Sequence, residues 1–212
     1  REWLVKHGAQ LRLGQRVQSL RPLAGTDNGW DVDGEGFDRV VLAGPPWEAV
    51  RLVRAAGIDD AGWAATADGL RYEAIATVYA HGAKHPLHAP MVALRNGPQA
   101  PAQFVFDRGQ LGGPKGLLAF VVSASTAGRE QLQADVLAQA ATQLGEKALR
   151  VVQTVVEKRA TFACTPGLVR PPMQVAPGLL ACGDYVEGPY PATLEGAIRS
   201  GCAAAFQLAA AG

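Results

Sequence analysis

The sequence predicts an α/β part built from the two ends of the chain and an α+β part in its middle. Three observations point there. Near the C-terminus an apolar run at residues 178–182 meets Gly183-Asp184, and a helix of small residues follows. Near the N-terminus residues 37–43 (FDRVVLA) are apolar enough for a strand buried on both faces. Between them lie strand-like runs separated by Gly/Pro loops, with one amphipathic helix, the pattern of an antiparallel sheet with a covering helix. On this reading residues 1–62 and 158–212 form one partial domain, and residues 63–157 are inserted into it.

Taken in order, residues 1–13 read as the end of a helix. Trp3, Leu4, His7 and Leu11 share a face, and Gly8 can terminate it. Residues 15–22 read as a strand with Val17 and Leu20 apolar, and Asp27-Asn28-Gly29 as a turn. Residues 30–33 make a second strand, Gly34-Glu35-Gly36 a second turn, and residues 37–43 a third strand. Gly44-Pro45-Pro46 ends it. Residues 47–56 follow as a helix, with Val50, Val53 and Arg54 at helical spacing and Gly57 at its end. In the middle, residues 74–80, 102–107 and 117–123 are strand-like. Residues 129–144 form a helix whose Leu132, Val136, Leu137, Ala140 and Leu144 share a face, with Gly145 at the C′ position. Residues 151–162 are a long strand, residues 178–182 a short one, and residues 193–210 the closing helix.

Composition narrows the function. At 212 residues and 48% hydrophobic content, the chain can bury roughly 70% of its unfolded surface in one large or two small domains. Net charge is +1 and no dense basic patch occurs, which speaks against nucleic acid as a partner. Charged residues are 18%, below the usual ~25%. That fits an Ala/Gly-rich globular chain, and also a greasy substrate or a missing partner surface. Cys164, Cys182 and Cys202 are odd in number and lack CxxC spacing, so a reducing, cytoplasmic compartment is expected. No apolar run reaches the ~18 residues of a membrane span, and no signal peptide opens the chain. Arg1 begins in mid-helix without an N-cap, so a longer parent chain is expected.

The chemistry concentrates near the C-terminus. A carboxylate at Asp184, just past a strand end and beside a helix start, can accept hydrogen bonds from the ribityl hydroxyls of a flavin, and Gly183 allows close backbone approach. An ordinary Gly-Asp turn is the plainer reading. The helix start at residues 191–196 offers backbone N–H groups and a positive dipole end, suited to negative charge on a reduced flavin ring. Gly196, Ala197, Ser200 and Gly201 keep that helix thin, for a ligand or for core packing. Glu195 either touches a cofactor or pairs with Arg199 at i, i+4. His81, His85 and His88 sit in a Gly/Pro-rich loop without a fourth ligand, so no metal site is expected. Gly34-Glu35-Gly36 lacks the third glycine of GxGxxG and is a hairpin turn. GxSxG, HExxH and GxxxxGK[ST] are absent, and Ser123 and Ser125 lack obvious His/Asp partners. FAD binding of this kind needs a strand–GxGxxG–helix unit that the chain does not contain, so the chain reads as the second half of a flavoenzyme.

The run GDYVEGPYPATLEGAIRSG, from Gly183 to Gly201, resembles the C-terminal flavin motif of the FAD-dependent amine oxidase and carotenoid (phytoene) desaturase superfamily. Residues 103–111 (QFVFDRGQL), 121–125 (VVSAS) and 157–162 (EKRATF), with Pro166, resemble its squalene-associated branch, the hydroxysqualene dehydroxylases. His7-Gly8-Ala9, Arg16-Val17 and residues 38–45 resemble the middle of the superfamily's FAD domain. The resemblance implies the C-terminal part of a two-domain FAD oxidoreductase. Val17 would lie beside the adenine through its backbone, Ala43 to Pro45 near the ribityl chain, and Gly183 and Asp184 at the ribityl or pyrophosphate. Thr193, Leu194 and Glu195 would face the flavin ring. The inserted domain would form an apolar tunnel for an isoprenoid, with Phe104, Phe106, Phe120, Phe162 and Tyr190 as lining residues, although core packing suits any single one of them. The missing N-terminal half would supply the pyrophosphate cradle. Without it, tight FAD binding is not expected of this chain, and much of the FAD-domain face should be exposed and apolar.

Three functions follow as expectations. The first is an FAD-dependent oxidoreductase acting on an isoprenoid by hydride transfer, either hydroxysqualene dehydroxylation or a squalene/phytoene-type desaturation. The second, an amine or protoporphyrinogen oxidase, would want an aromatic cage, against which the 7% aromatic content argues. The third is a non-catalytic isoprenoid-binding module. No acid–base residue is assigned: Asp107 and Arg108 follow an apolar strand, and a surface turn explains them. The substrate class implies peripheral membrane contact, though no basic amphipathic helix shows it. The coding sequence upstream of Arg1 separates the enzyme from the binding module.

Overall fold

The computed structural model describes residues 1–58, 62–124 and 127–210, so Ser125 lies outside the described residues. The chain divides into two compact units, residues 1–70 with 164–212 and residues 71–163.

The first unit opens with a short helix, α1 (Glu2–Lys6), which ends before Gly8 at φ +86°, leaving Leu11 outside it. Strands β1 (Leu20–Pro22), β2 (Trp30–Val32) and β3 (Glu35–Phe37) form an antiparallel meander. The expected strand over residues 15–22 shrinks to its last three residues for a specific reason. The Asp33 carboxylate accepts the N–H groups of Gln18 (3.0 Å) and Ser19 (2.7 Å), so this stretch bonds to a side chain instead of a ladder. The β2–β3 turn is Asp33-Gly34, both at positive φ (52° and 89°), one residue earlier than expected. An Asp-Gly pair is what such a two-residue hairpin prefers.

The expected strand over residues 37–43 is two strands. Phe37 pairs with Trp30 in the meander, whereas β4 (Val40–Leu42) belongs to a second sheet. There β11 (Leu179–Ala181) runs parallel to β4 and antiparallel to β10 (Gln174–Ala176), a strand the sequence did not reveal. The turn joining β10 to β11 carries Gly178 at φ +70°, where a Cβ would overlap the Asn28 backbone oxygen. Helix α2 (Pro46–Ala56) starts on proline, which loses no hydrogen bond there, and stops at left-handed Gly57. It buries Ala49, Val50, Leu52 and Val53. Helix α3 (Trp63–Asp68) is a further unexpected element and lies in this unit. The closing helix, α5 (Leu194–Ala210), buries Ala204 against Leu180 and Cys182.

The second unit is one antiparallel sheet in the order β6-β7-β8-β5-β9, from β5 (Tyr72–His81), β6 (Met91–Ala93), β7 (Phe104–Asp107), β8 (Leu117–Ser123) and β9 (Arg150–Phe162). Helix α4 (Arg129–Gln143) covers one face. Tyr72 pairs with Phe162, so both ends of the insertion belong to one strand pair. This moves the boundaries from the expected 62/63 and 157/158 to 70/71 and 163/164. The core joins Ala76, Val78, Ala80, Val105, Leu118, Phe120 and Val122 to Leu132, Val136 and Ala140 of α4. Buried Gln139 is fully used: it accepts from Ala102 N–H (2.9 Å) and donates to the Ala102 carbonyl (2.8 Å), tying a loop to α4.

Candidate functional site

The site begins where two parallel strands end together. Ala181 pairs with Leu42, and Cys182 N–H donates to the Leu42 carbonyl (3.0 Å). Ala43 and Pro45 therefore leave the sheet at the same edge as Gly183 and Asp184, and Ala43 and Pro45 are exposed. Ligands of open α/β sheets bind outside the carboxyl ends of such strands.

The corner is latched on several sides. Gly183 N–H donates to the Ser200 hydroxyl of α5 (2.7 Å), and that hydroxyl lies 3.0 Å from the Gly183 carbonyl. A side chain at 183 would press on the Tyr185 ring, 2.6 Å from Cε1. Tyr185 is buried, edge-on to Trp63 at 6.5 Å, and Trp63 Nε1 donates to the Pro172 carbonyl (2.8 Å). The Arg170 guanidinium donates to the carbonyls of Asp184 (3.3 Å), Val186 (2.7 Å) and Gly188. Asp184 is half-buried. Burial pushes its carboxyl above the usual range, while N–H groups of Asp184 and Tyr185 and the charge of Arg170 act the other way.

From Gly188 the chain runs through Tyr190 and Ala192, both at φ 57°, to the start of α5. Thr193 caps that helix: its hydroxyl accepts Gly196 N–H (3.0 Å) and donates to the Tyr190 carbonyl (2.7 Å). Gly196 is required there, since a Cβ would overlap the Tyr190 carbonyl oxygen. First-turn N–H groups have no partner inside a helix, and of these the cap takes that of Gly196. Leu194 is 84% exposed, and Ile198 and Phe206 extend an exposed apolar stripe along the helix. Glu195 pairs with Arg199 (2.6 Å), whose guanidinium sits 5.1 Å from the Tyr190 ring centre.

Val17 lies in an irregular segment held by ionic contacts. Glu48 accepts from Arg51 (3.0 Å) and from Arg16, and Arg51 donates to the Val17 carbonyl (2.6 Å). The Arg16 bonds, followed by those of Arg51, hold the Glu48 carboxyl below its usual range.

Within the second unit the sheet has a covered and an open face. Strand alternation puts Val105 and Phe120, which pair across β7 and β8, against α4. Phe120 is fully buried and belongs to the core, not to a substrate wall. Phe104 and Phe106 point the other way. They share the open face with Met91, Ala119, Val121, Thr77, Tyr79 and Val155, and Phe104 and Val155 are 40% and 45% exposed. Phe162, at the end of β9, is buried.

Asp107 is not part of a surface turn. It is 4% exposed and accepts from Leu87 N–H (3.0 Å), Gly109 N–H (3.0 Å) and the Gln110 amide (2.9 Å), which occupies it structurally. His81, His85 and His88 are exposed, and the described residues form no group of three His, Cys, Asp or Glu that could hold a metal. Arg170, Trp63 and Arg51 were not legible in the sequence, because each acts on backbone far away in the chain. Ser200 was read only as a small residue.

The residues at the corner suit a flavin. Asp184 offers acceptors for hydroxyls, the start of α5 offers N–H donors, and glycines keep both backbones close-packed. The model of the family described as flavin containing amine oxidoreductase matches residues 2–209. Over 88 residues the chain is 42% identical to a hydroxysqualene dehydroxylase of Rhodopseudomonas palustris, covering 40% of this chain and 21% of that relative. A putrescine oxidase variant matches with a TM-score of 0.67 at 19% identity, covering 92% of this chain and 48% of that one. Cyclohexylamine oxidase from Brevibacterium oxydans matches with a TM-score of 0.61 at 14% identity, covering 92% and 48%. These structural likenesses establish the fold. The chain spans about half the length of these structures and about a fifth of the curated relative.

Proposed function

Because this chain belongs to the flavin-containing amine oxidoreductase family, whose cofactor is FAD, we propose that it is the flavin-facing and substrate-binding part of an oxidoreductase that acts on an isoprenoid. The reaction is hydroxysqualene dehydroxylation, or in the reverse sense of hydride flow a squalene- or phytoene-type desaturation. The observation that carries this reading is the open sheet face of the second unit. Across β6, β7 and β8 it presents Met91, Phe104, Phe106, Leu117, Ala119 and Val121, without a charged side chain. Such a wall favours a hydrocarbon, which gains about 25 cal/mol for each Å² of apolar surface removed from water. On this face those three strands offer no carboxylate to an ammonium group; Glu73 and Glu157, on the same face, lie at the far end of the β5–β9 pair. The 42% identity to a hydroxysqualene dehydroxylase supports the same substrate class.

The bound flavin supplies the hydride exchange. The chain's residues bind and orient. Asp184 would accept hydrogen bonds from the hydroxyls of the ribityl chain, and the first-turn N–H groups of Leu194 and Glu195 would serve the ring's polar edge. Ala43 and Pro45 would line the cofactor, and the backbone of Val17 would meet the adenine. The Thr193 hydroxyl serves the cap and the Glu195 carboxylate its ion pair, so both act through backbone. In the second unit Phe104 and Phe106 are apolar contacts for substrate; in the first, Tyr190, half-exposed before α5, is a separate candidate contact. The pyrophosphate cradle comes from polypeptide outside these residues, the N-terminal half of the same protein. None of the described helices is long and apolar enough to cross a membrane, and the proposed setting is cytoplasmic, with peripheral contact where the substrate dissolves.

The test uses the full gene product with FAD. Given hydroxysqualene and a flavin reductant without oxygen, it should release squalene, detected by mass spectrometry. Peroxide formation from putrescine or cyclohexylamine, with hydroxysqualene untouched, would replace this reading with an amine oxidase.

A further inference from the structure

The loop from Asp184 to Gly188 turns three of its carbonyls toward one side chain. Arg170 donates to Asp184 O (3.3 Å), Val186 O (2.7 Å) and Gly188 O. Beside it, Glu187 N–H donates to the Pro171 carbonyl (2.9 Å), and Pro171 is fully buried, so the guanidinium starts from fixed backbone. A planar guanidinium with five donors can serve three carbonyls at once, whereas the point charge of lysine cannot hold that fork. The loop has no regular secondary structure of its own between β11 and α5, and past it Ala192 N–H reaches back to the Asp184 carbonyl (3.4 Å).

We propose that Arg170 is the positioning residue of the cofactor site, holding the Asp184–Gly188 backbone so that the Asp184 carboxylate meets the cofactor hydroxyls. This rests on the flavin reading above. Arg170 touches no reacting atom; it acts through Asp184. Ser200 supports the same corner from α5 through Gly183.

The test measures FAD affinity of the full gene product by quenching of flavin fluorescence, in wild type, R170A, R170K, D184N and R170A/D184N. Loss of a charged hydrogen bond corresponds to a roughly 10- to 100-fold weaker Kd, expected for R170A and nearly matched by R170K. Methylguanidinium at low millimolar concentration should restore affinity to R170A and leave wild type unchanged. A purely structural defect would not be rescued by a mild denaturant. Because Arg170 works through Asp184, the double variant should bind FAD about as weakly as the weaker single variant. Wild-type affinity in R170A, or fully additive losses without rescue, would overturn the proposal alone. A full-length wild type that binds no FAD would overturn the flavin reading and the proposal together.

Discussion

Replacing Asp107 by alanine removes a buried carboxylate that organises one end of the sheet in the second unit. Its oxygens accept Leu87 N–H (3.0 Å), Gly109 N–H (3.0 Å), Gln110 N–H (3.4 Å) and the Gln110 side-chain amide (2.9 Å). Each hydrogen bond to a charged group contributes ~1.5–3 kcal/mol. The Gln110 side chain is exposed and can turn to water, and the 3.4 Å bond is weak. Two bonds then count in full, for a loss of about 3–6 kcal/mol. In a domain of this size that lowers the melting midpoint by roughly 15 °C or more. Asparagine keeps one acceptor but aims an amide at a donor, so D107N should lose about half as much. The pH dependence adds a second check. Burial by itself raises the Asp107 carboxyl, yet the bonds from the Gln110 side chain, Leu87, Gln110 and Gly109 together hold it below the usual range. A depressed carboxyl contributes stability that is present above its unfolded pKa of ~3.9 and lost as pH falls through the folded value. The gap between wild type and D107N should thus stay level at neutral pH and narrow in acid below about pH 4. Urea unfolding at several pH values measures both. A D107A loss under ~1 kcal/mol, or a gap that widens in acid, would refute the hydrogen-bond account.

Two further outcomes follow from the same structure. Asp184 has the opposite sign. Burial raises its folded pKa, so the associated stability is present below the unfolded pKa and lost as pH rises through the folded value. D184N should therefore melt higher than wild type at neutral pH when flavin-free, with the gap closing in acid, while binding FAD more weakly; a lower neutral melting point would contradict the burial argument. The two faces of the sheet predict contrasting phenylalanines. F120A opens a cavity in the covered core and should lose ~3–5 kcal/mol in urea unfolding, whereas F104A, 40% exposed, should stay within ~1 kcal/mol of wild type and raise KM for the isoprenoid. Equal destabilisation would show that both side chains are core.

Much of this protein was legible locally. Helix α2 shows its ends in Pro46 and Gly57, helix α4 shows its buried stripe at Leu132, Val136 and Ala140, and β8 matches its apolar run. The Gly183-Asp184 corner and the thin helix after it were also readable, because helix starts, glycine turns and small-residue spacing are set by neighbours within a few positions. Other features depend on partners distant in sequence. Strands β6 and β10 have only three residues each and exist through pairing. The break at residues 38–39 arises because Phe37 pairs with Trp30 while Val40 pairs with Leu179. Composition alone grouped Phe104, Phe106 and Phe120 together. Register separated them, since Phe120 lies opposite Val105 and so faces α4, whereas Phe104 and Phe106 alternate to the open side. Arg170 gave no local signal, because its function is to satisfy carbonyls 14 to 18 positions away. The sequence by itself determined which segments become helix, strand or ligand-facing corner, through periodicity and turn chemistry. Only the tertiary structure decided which face each side chain joins and which distant charge holds the corner, because pairing register and long-range hydrogen bonds follow from how segments meet rather than from the residues beside them.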